Sequence, residues 1–151
     1  MPELPEVETV RRGLEQRFVG RRIIQVEVGR ERSVRRTSRE EVIARLTGVQ
    51  ALQAQRRGKY LLCPLSSGDS VMIHLRMSGQ VLIDAVGSIR PPHSHVVMTL
   101  DDGNELRFVD PRTFGEVVVF DPAVAAEVVP ELVLEGLVHA EQLNRDNPRP
   151  H

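Results

Sequence analysis

The sequence predicts an α+β, mainly β protein: an antiparallel β-sandwich with an N-terminal helix and one further short helix. Three observations lead there. Most of the chain divides into short apolar segments separated by turn residues, and only two stretches carry the three-to-four-residue apolar spacing of a buried helix face. Aromatic residues make up 3% of the 151 residues and Trp is absent, so Val, Leu and Ile must fill the core, which suits pleated strands. The length, with 40% hydrophobic residues, accommodates one packed domain and leaves no room for a second large one.

The elements follow in order. Val7, Val10, Leu14 and Phe18 recur at helical spacing after the prolines of PELPE, and Gly20 can end the helix. Residues 23–28 alternate as a half-buried strand. A basic stretch, 30–39, reads as a loop. Ser38 with Glu41 three residues later is a capping-box signature, and Val42, Ile43 and Leu46 give the second helix its apolar face, closed by Gly48. Strands are then expected at 49–55, 60–65, 71–75 and 80–83, joined as antiparallel hairpins, with a turn at 66–69. A further hairpin joins 96–100 to 105–109 through Asp102 and Gly103, and residues 116–120 add one more strand. This domain is expected to span 1–120. Residues 121–151 are acidic, contain Pro122, Pro130, Pro148 and Pro150, and are expected to be a partly disordered tail.

Composition narrows the class of function. The single Cys63 has no internal disulfide partner, and no CxxC pair or Cys/His cluster suggests a zinc site, so no cofactor is expected within the chain. No apolar run approaches the ~20 residues of a membrane span, and the N-terminus is charged, so an intracellular, cytoplasmic location without membrane contact is expected. The net charge of −1 conceals an asymmetry. Residues 11–59 hold 14 Arg and Lys against 5 Glu, whereas residues 101–151 hold 4 against 11 acidic residues. The basic section has the character of a phosphate-facing surface, although a solvated charged face would look the same.

The first residues carry a candidate chemistry. Removal of the initiator methionine leaves Pro2 as a secondary amine, and an α-amino group titrates near ~8, so a neutral fraction exists near neutral pH. Such an amine can attack an electrophilic carbon and form an iminium. Glu3, Glu6 and Glu8 stand beside it, and one partly desolvated by Leu4 and Val7 could donate a proton. Without further context, Pro2 and Pro5 would serve equally well to stiffen the start of a helix whose dipole the glutamates complement.

The string MPELPEVETVRRGL closely resembles the opening of formamidopyrimidine-DNA glycosylases. Three further stretches, RRGKYLL at 56–62, HLRMSGQ at 74–80 and DPRTFG at 110–115, extend the resemblance in the family's order. It implies that Pro2 is the nucleophile and Glu3 the acid, with Glu6 nearby. It also implies that Lys59, the only lysine, lies in the active site against the DNA backbone, and that His74 lies near backbone phosphates. Met77, Arg112 and Phe114 correspond to the residues that fill the gap left by a flipped nucleotide; each alone would also pass as a core or loop residue. Turn residues around them, Ser78-Gly79 and Pro111 with Gly115, favour exposed loops. PELPE and DPRTFG resemble the oxidised-purine branch more than the endonuclease VIII branch. Arg76 stands where the family's HLGMSG has glycine, which is expected to strain or recharge that loop. Thr113 is a milder departure.

The resemblance covers about residues 1–120. The family's helix-two-turn-helix region and four-cysteine zinc finger have no counterpart here, so the zinc-finger cysteines are absent. Two readings follow. One is a glycosylase and AP lyase acting on 8-oxoguanine and formamidopyrimidines in double-stranded DNA, either as a fragment of a longer gene product or as a truncated homologue whose missing half is dispensable or supplied by another chain. The other is a non-catalytic module that binds DNA or a protein partner.

Overall fold

The computed structural model describes residues 4–134. The first helix, α1, runs Leu4–Arg17 and buries Val7 and Leu14; Phe18, just beyond it, is fully buried. Gly20 takes the left-handed conformation that ends the segment (φ 84°). Eight strands follow, with a second helix among them: β1 Ile23–Val28, α2 Arg39–Leu46, β2 Gln55–Arg57, β3 Tyr60–Pro64, β4 Ser70–His74, β5 Gln80–Ala85, β6 Ser94–Leu100, β7 Asn104–Val109 and β8 Glu116–Phe120. They form two four-stranded antiparallel sheets, ordered β1-β6-β7-β5 and β2-β3-β4-β8. The mainly β sandwich expected from the sequence is therefore present.

Between the sheets lie Val26, Val28, Val96, Met98, Leu106 and Phe108 of the first and Leu61, Cys63, Val71, Ile73, Val117 and Val119 of the second, all in one apolar cluster. Burial pushes the Cys63 thiol up to about 12, so it behaves as a small apolar side chain. The second sheet is covered on its outer face as well. Tyr60, Leu62, Met72, Val118 and Phe120 pack there against Ala125, Val129 and Leu132. Ala125 and Leu132 come from two short helices, α3 Ala125–Val128 and α4 Pro130–Leu134, and Val129 from the junction between them. Strands β3, β4 and β8 are accordingly buried at every position and show no alternation.

Four expectations need correction. Residues 49–55 do not form a strand; Gln50 and Ala51 make only isolated bridges, and β2 begins at Gln55. The basic segment 30–39 contains a 3-10 turn, Glu31–Val34, because Val34 reaches the core. Strands β4 and β5 are not a hairpin: β4 pairs with β3 and β8, while β5 pairs with β7. The reason is burial, since β4 is covered on both faces and β5 on one at most, so each joins a different sheet. Finally, ordered packing continues past residue 120 to Leu132, because the outer face of β8 must be covered. The rest of the expected tail, 135–151, lies outside the described residues, as do Pro2 and Glu3.

Helix α2 starts as its sequence dictates. Ser38 has extended backbone and its side chain accepts from the Glu41 N–H at 3.1 Å, while the Glu41 carboxylate meets Arg45 one turn on. Among the described residues no helix is long and apolar enough to cross a membrane, and no group of three or more His, Cys, Asp or Glu could hold a metal ion. Replacing Ser38 by Ala is expected to destabilise the protein by about 1 kcal/mol. Urea unfolding of the two proteins checks this, with the midpoint shifted and the slope unchanged.

Candidate nucleic-acid interface

Two connections cross from one sheet to the other at the same end of the sandwich. Residues 75–79 lead from β4 to β5, and residues 110–115 lead from β7 to β8. Their ends are in register on both sides: His74 pairs with Glu116 in the second sheet, and Gln80 pairs with Val109 in the first. The two loops must therefore emerge side by side. Sheet topology, rather than any local preference, brings Met77 close to Phe114.

A single carboxylate fastens them. Asp110, fully buried, accepts from Ser78 Oγ at 2.7 Å and from the Gly115 N–H at 2.7 Å, one contact to each loop. Its own carbonyl is met by His95 Nε2 at 2.8 Å and its N–H donates to the His93 carbonyl at 3.0 Å, so the staple is itself tied to β6. Glycine is required where the loops close. A Cβ on Gly79 would lie 2.6 Å from the Leu75 carbonyl oxygen, and one on Gly115 would lie 2.8 Å from that of His74. Arg76 and Thr113 have φ of 52° and 57°, conformations that cost a non-glycine residue about 1–3 kcal/mol each and persist only where the surroundings enforce them.

The result is an exposed apolar pair on a rigid base. Met77 is 52% and Phe114 42% exposed, and Arg112, two residues before Phe114 on the same loop, is exposed as well. Met77 lies between two clefts of about 450 Å³. One is lined by Arg35, Arg76, Met77 and Phe114. The other brings Met77, Ser78 and Gly79 opposite Glu6 and Val10 of α1. The first turn of α1, which directly follows Pro2 and Glu3 in sequence, thus shares a cleft with the Met77 loop.

Residues 1–117 match the formamidopyrimidine-DNA glycosylase N-terminal domain. The chain belongs to this family. It is 44% identical over 138 residues to the formamidopyrimidine-DNA glycosylase of Herpetosiphon aurantiacus, covering 91% of this chain and 50% of that protein. Against the Salinispora arenicola enzyme it is 50% identical over 122 residues, 79% of this chain and 42% of the other. Its fold is similar to the Lactococcus lactis enzyme bound to DNA containing an AP site: TM-score 0.78, 35% identity, 89% of this chain and 50% of that one. A MutM complex with DNA containing carbocyclic 8-oxo-G matches with a TM-score of 0.78 at 36% identity, over 89% and 48%. The chain spans about half the length of the curated relatives it matches.

The residues singled out from the sequence fare differently. Met77 and Phe114 line one cleft, Glu6 lines the adjoining one, and Arg112 is exposed on the loop that carries Phe114. Lys59 sits in the turn joining β2 to β3, half-buried, behind Gly58 at φ 59°. His74, expected near phosphates, is only 6% exposed and lies against the Tyr60 ring, centroids 4.3 Å apart. Burial, reinforced by the Arg76 charge and partly offset by Glu116, pulls its pKa down to about 4, so it is neutral at pH 7 and brings no positive charge to an interface.

The basic section 11–59 is also less free than its composition suggests. Arg11, Arg12 and Arg56 meet Glu8, whose carboxyl the Arg11 hydrogen bond helps pull down to about 2. Arg45 meets Asp69, and Arg36 meets Glu116 and Glu131. Sequence reading missed Asp110 and Glu116. The signal for Glu116 was a lone carboxylate opening the apolar run EVVVF, which needs a cation once the run is buried.

Two outcomes are expected. Asp110→Ala leaves the Gly115 N–H and Ser78 hydroxyl without their acceptor and should cost about 1–3 kcal/mol per unpaired buried group, read by urea unfolding. The second concerns His74, whose folded pKa lies below its unfolded value near ~6.5. Between those values the unfolded chain binds the proton and the folded one does not, so this group removes stability as pH falls from about 6.5 towards 4. His74→Gln should flatten the stability-versus-pH slope in that window by up to one proton.

Proposed function

We propose that this chain is the catalytic N-terminal domain of a DNA glycosylase with AP lyase activity, acting on oxidised purines in double-stranded DNA. The observation that carries the reading is the stapled pair of loops presenting Met77 and Phe114, the Met77 loop lying across a cleft from the first turn of α1 and Arg112 being exposed on the other loop. An enzyme that does chemistry on a base must take it out of the stack, at a cost of a few kcal/mol. Two exposed apolar side chains on a base that cannot yield are suited to fill the gap, and a cationic side chain is suited to bond what remains opposite. Solved relatives bound to DNA with an AP site, and to DNA with carbocyclic 8-oxo-G, support a damaged duplex as the partner.

In this reading the Pro2 nitrogen attacks C1′ of the damaged nucleotide and the base departs as the C1′–N bond breaks. Glu3 protonates the opening sugar oxygen, and the iminium formed loses protons from the sugar so that the phosphate esters eliminate in turn. Glu6 borders the cleft, and Lys59 holds a backbone phosphate as a compact point charge. His74, neutral, acts there as a hydrogen-bonding group at most. The remaining phosphate contacts come from a second body of protein, and affinity for duplex scales with the phosphates neutralised, so binding by this chain alone is weak and salt-sensitive.

Borohydride added to the protein with a duplex containing 8-oxoguanine or an abasic site should trap a covalent adduct, and Pro2→Gly should abolish it. A mature N-terminus that retains Met1 would remove the free amine and the mechanism with it. Salt-sensitive binding without any adduct would instead favour a non-catalytic DNA-binding module.

A further inference from the structure

We infer that Glu116 is the positioning residue of the duplex-probing loops, acting through Arg76 and Arg35 to hold Met77 and Phe114 as one rigid unit. The inference rests on the reading of those two side chains as the wedge. Glu116 opens β8, is 2% exposed, and faces three guanidinium groups. Its Oε1 lies 3.3 Å from Arg76 and 3.3 Å from Arg35, and its Oε2 lies 2.8 Å from Arg36. Arg76 immediately precedes Met77, and Arg35 also donates to the Phe114 carbonyl at 3.2 Å. Each probing side chain is therefore one residue, or one hydrogen bond, from an arginine paired with the same carboxylate.

The backbone supplies an independent observation. Arg76 holds φ at 52°, a conformation glycine adopts freely and arginine resists. A side chain kept there needs a reason, and its ion pair to a buried carboxylate is one. Arg36 anchors the hub on the opposite side. It bonds Glu116 through two nitrogens, donates to the Val128 carbonyl at 2.8 Å and pairs with Glu131, which ties the cluster to α3 and α4. Asp110 already links the two loops to each other. Glu116 links the pair to the folded body, so that a stacked base pressing on Met77 or Phe114 meets resistance from β8 and the helices behind it.

The test is made first on the DNA-free protein. In Glu116→Gln, which keeps shape and removes charge, backbone amide order parameters of residues 76–78 and 113–114 should fall from the rigid range near ~0.85 to below ~0.6, while the strands stay rigid. Arg76→Gly should loosen residues 76–78 alone, and adding Glu116→Gln to it should change those three residues no further, since both substitutions remove the same link. Arg76→Lys, which keeps the charge, should restore part of the order. Unchanged loop order parameters in a folded Glu116→Gln would overturn the inference, as would full additivity with Arg76→Gly. Should Glu116→Gln not fold, Arg35→Ala and Arg76→Gly alter partly exposed residues and carry the same measurement. A second arm compares binding to abasic-analogue and undamaged duplexes. Glu116→Gln should lose discrimination severalfold with non-specific binding kept. Met77→Ala is the separate control: if it leaves discrimination intact, the wedge reading fails whatever the order parameters say of Glu116.

Discussion

The rest of the interface depends on one buried carboxylate, Asp110, bonded to both crossing loops at once. Each loop is short, each contains a residue in the left-handed region, and each presents a large apolar side chain to water. None of these is favourable by itself. Strained residues and exposed side chains persist only where the surroundings over-determine them, and Asp110 supplies the determination with two 2.7 Å hydrogen bonds. Hydrogen bonds to a carboxylate are among the stronger kind, and fixing two groups with one acceptor lowers the entropy cost of holding the loops together.

The staple works because topology has already done the coarse positioning. A sandwich whose two sheets exchange strands at one end must pass chain across that end, and here two crossings are in register through the His74–Glu116 and Gln80–Val109 pairs. The loops inherit the precision of the sheets. A probing site built on such crossings is stiffer than one on a free loop, since motion of Met77 would have to be shared with strands covered on both faces. Rigidity matters physically because a wedge that yields cannot offset the cost of unstacking.

How much of this was legible in the sequence depends on the range of the interaction. Local signals were read well: the apolar spacing of α1, the Ser38 cap and the hairpins joining β3 to β4 and β6 to β7. The β4–β5 connection was misread as a hairpin because a short turn between two apolar runs looks the same whether the strands stay in one sheet or part. What separates them is the covering of β4 on its second face by α3 and α4, some fifty residues on, which no local window contains. Met77, Arg112 and Phe114 were singled out through resemblance, and their exposed loops were legible from glycine and proline. Asp110 and Glu116 were not found, because their importance lies in partners 32 and 80 residues distant.

The same distance argument changes what the basic section means. Read as a sum, fourteen cations between residues 11 and 59 suggest a phosphate-binding stripe. Read in three dimensions, several of them neutralise carboxylates of the acidic C-terminal third: Arg36 with Glu116 and Glu131, Arg21 with Asp102. The asymmetry along the chain is in part an internal pairing between distant segments, and Arg36 adds to the apolar contacts that hold α3 and α4 against the sheet. What is left to face phosphates is smaller than composition implies; of that section Arg35 lines a cleft with Met77 and Phe114, where Arg76, from outside it, joins them. Under the proposed function, cationic and apolar side chains on this edge act on the same duplex, since Arg35 and Arg76 line one cleft with Met77 and Phe114.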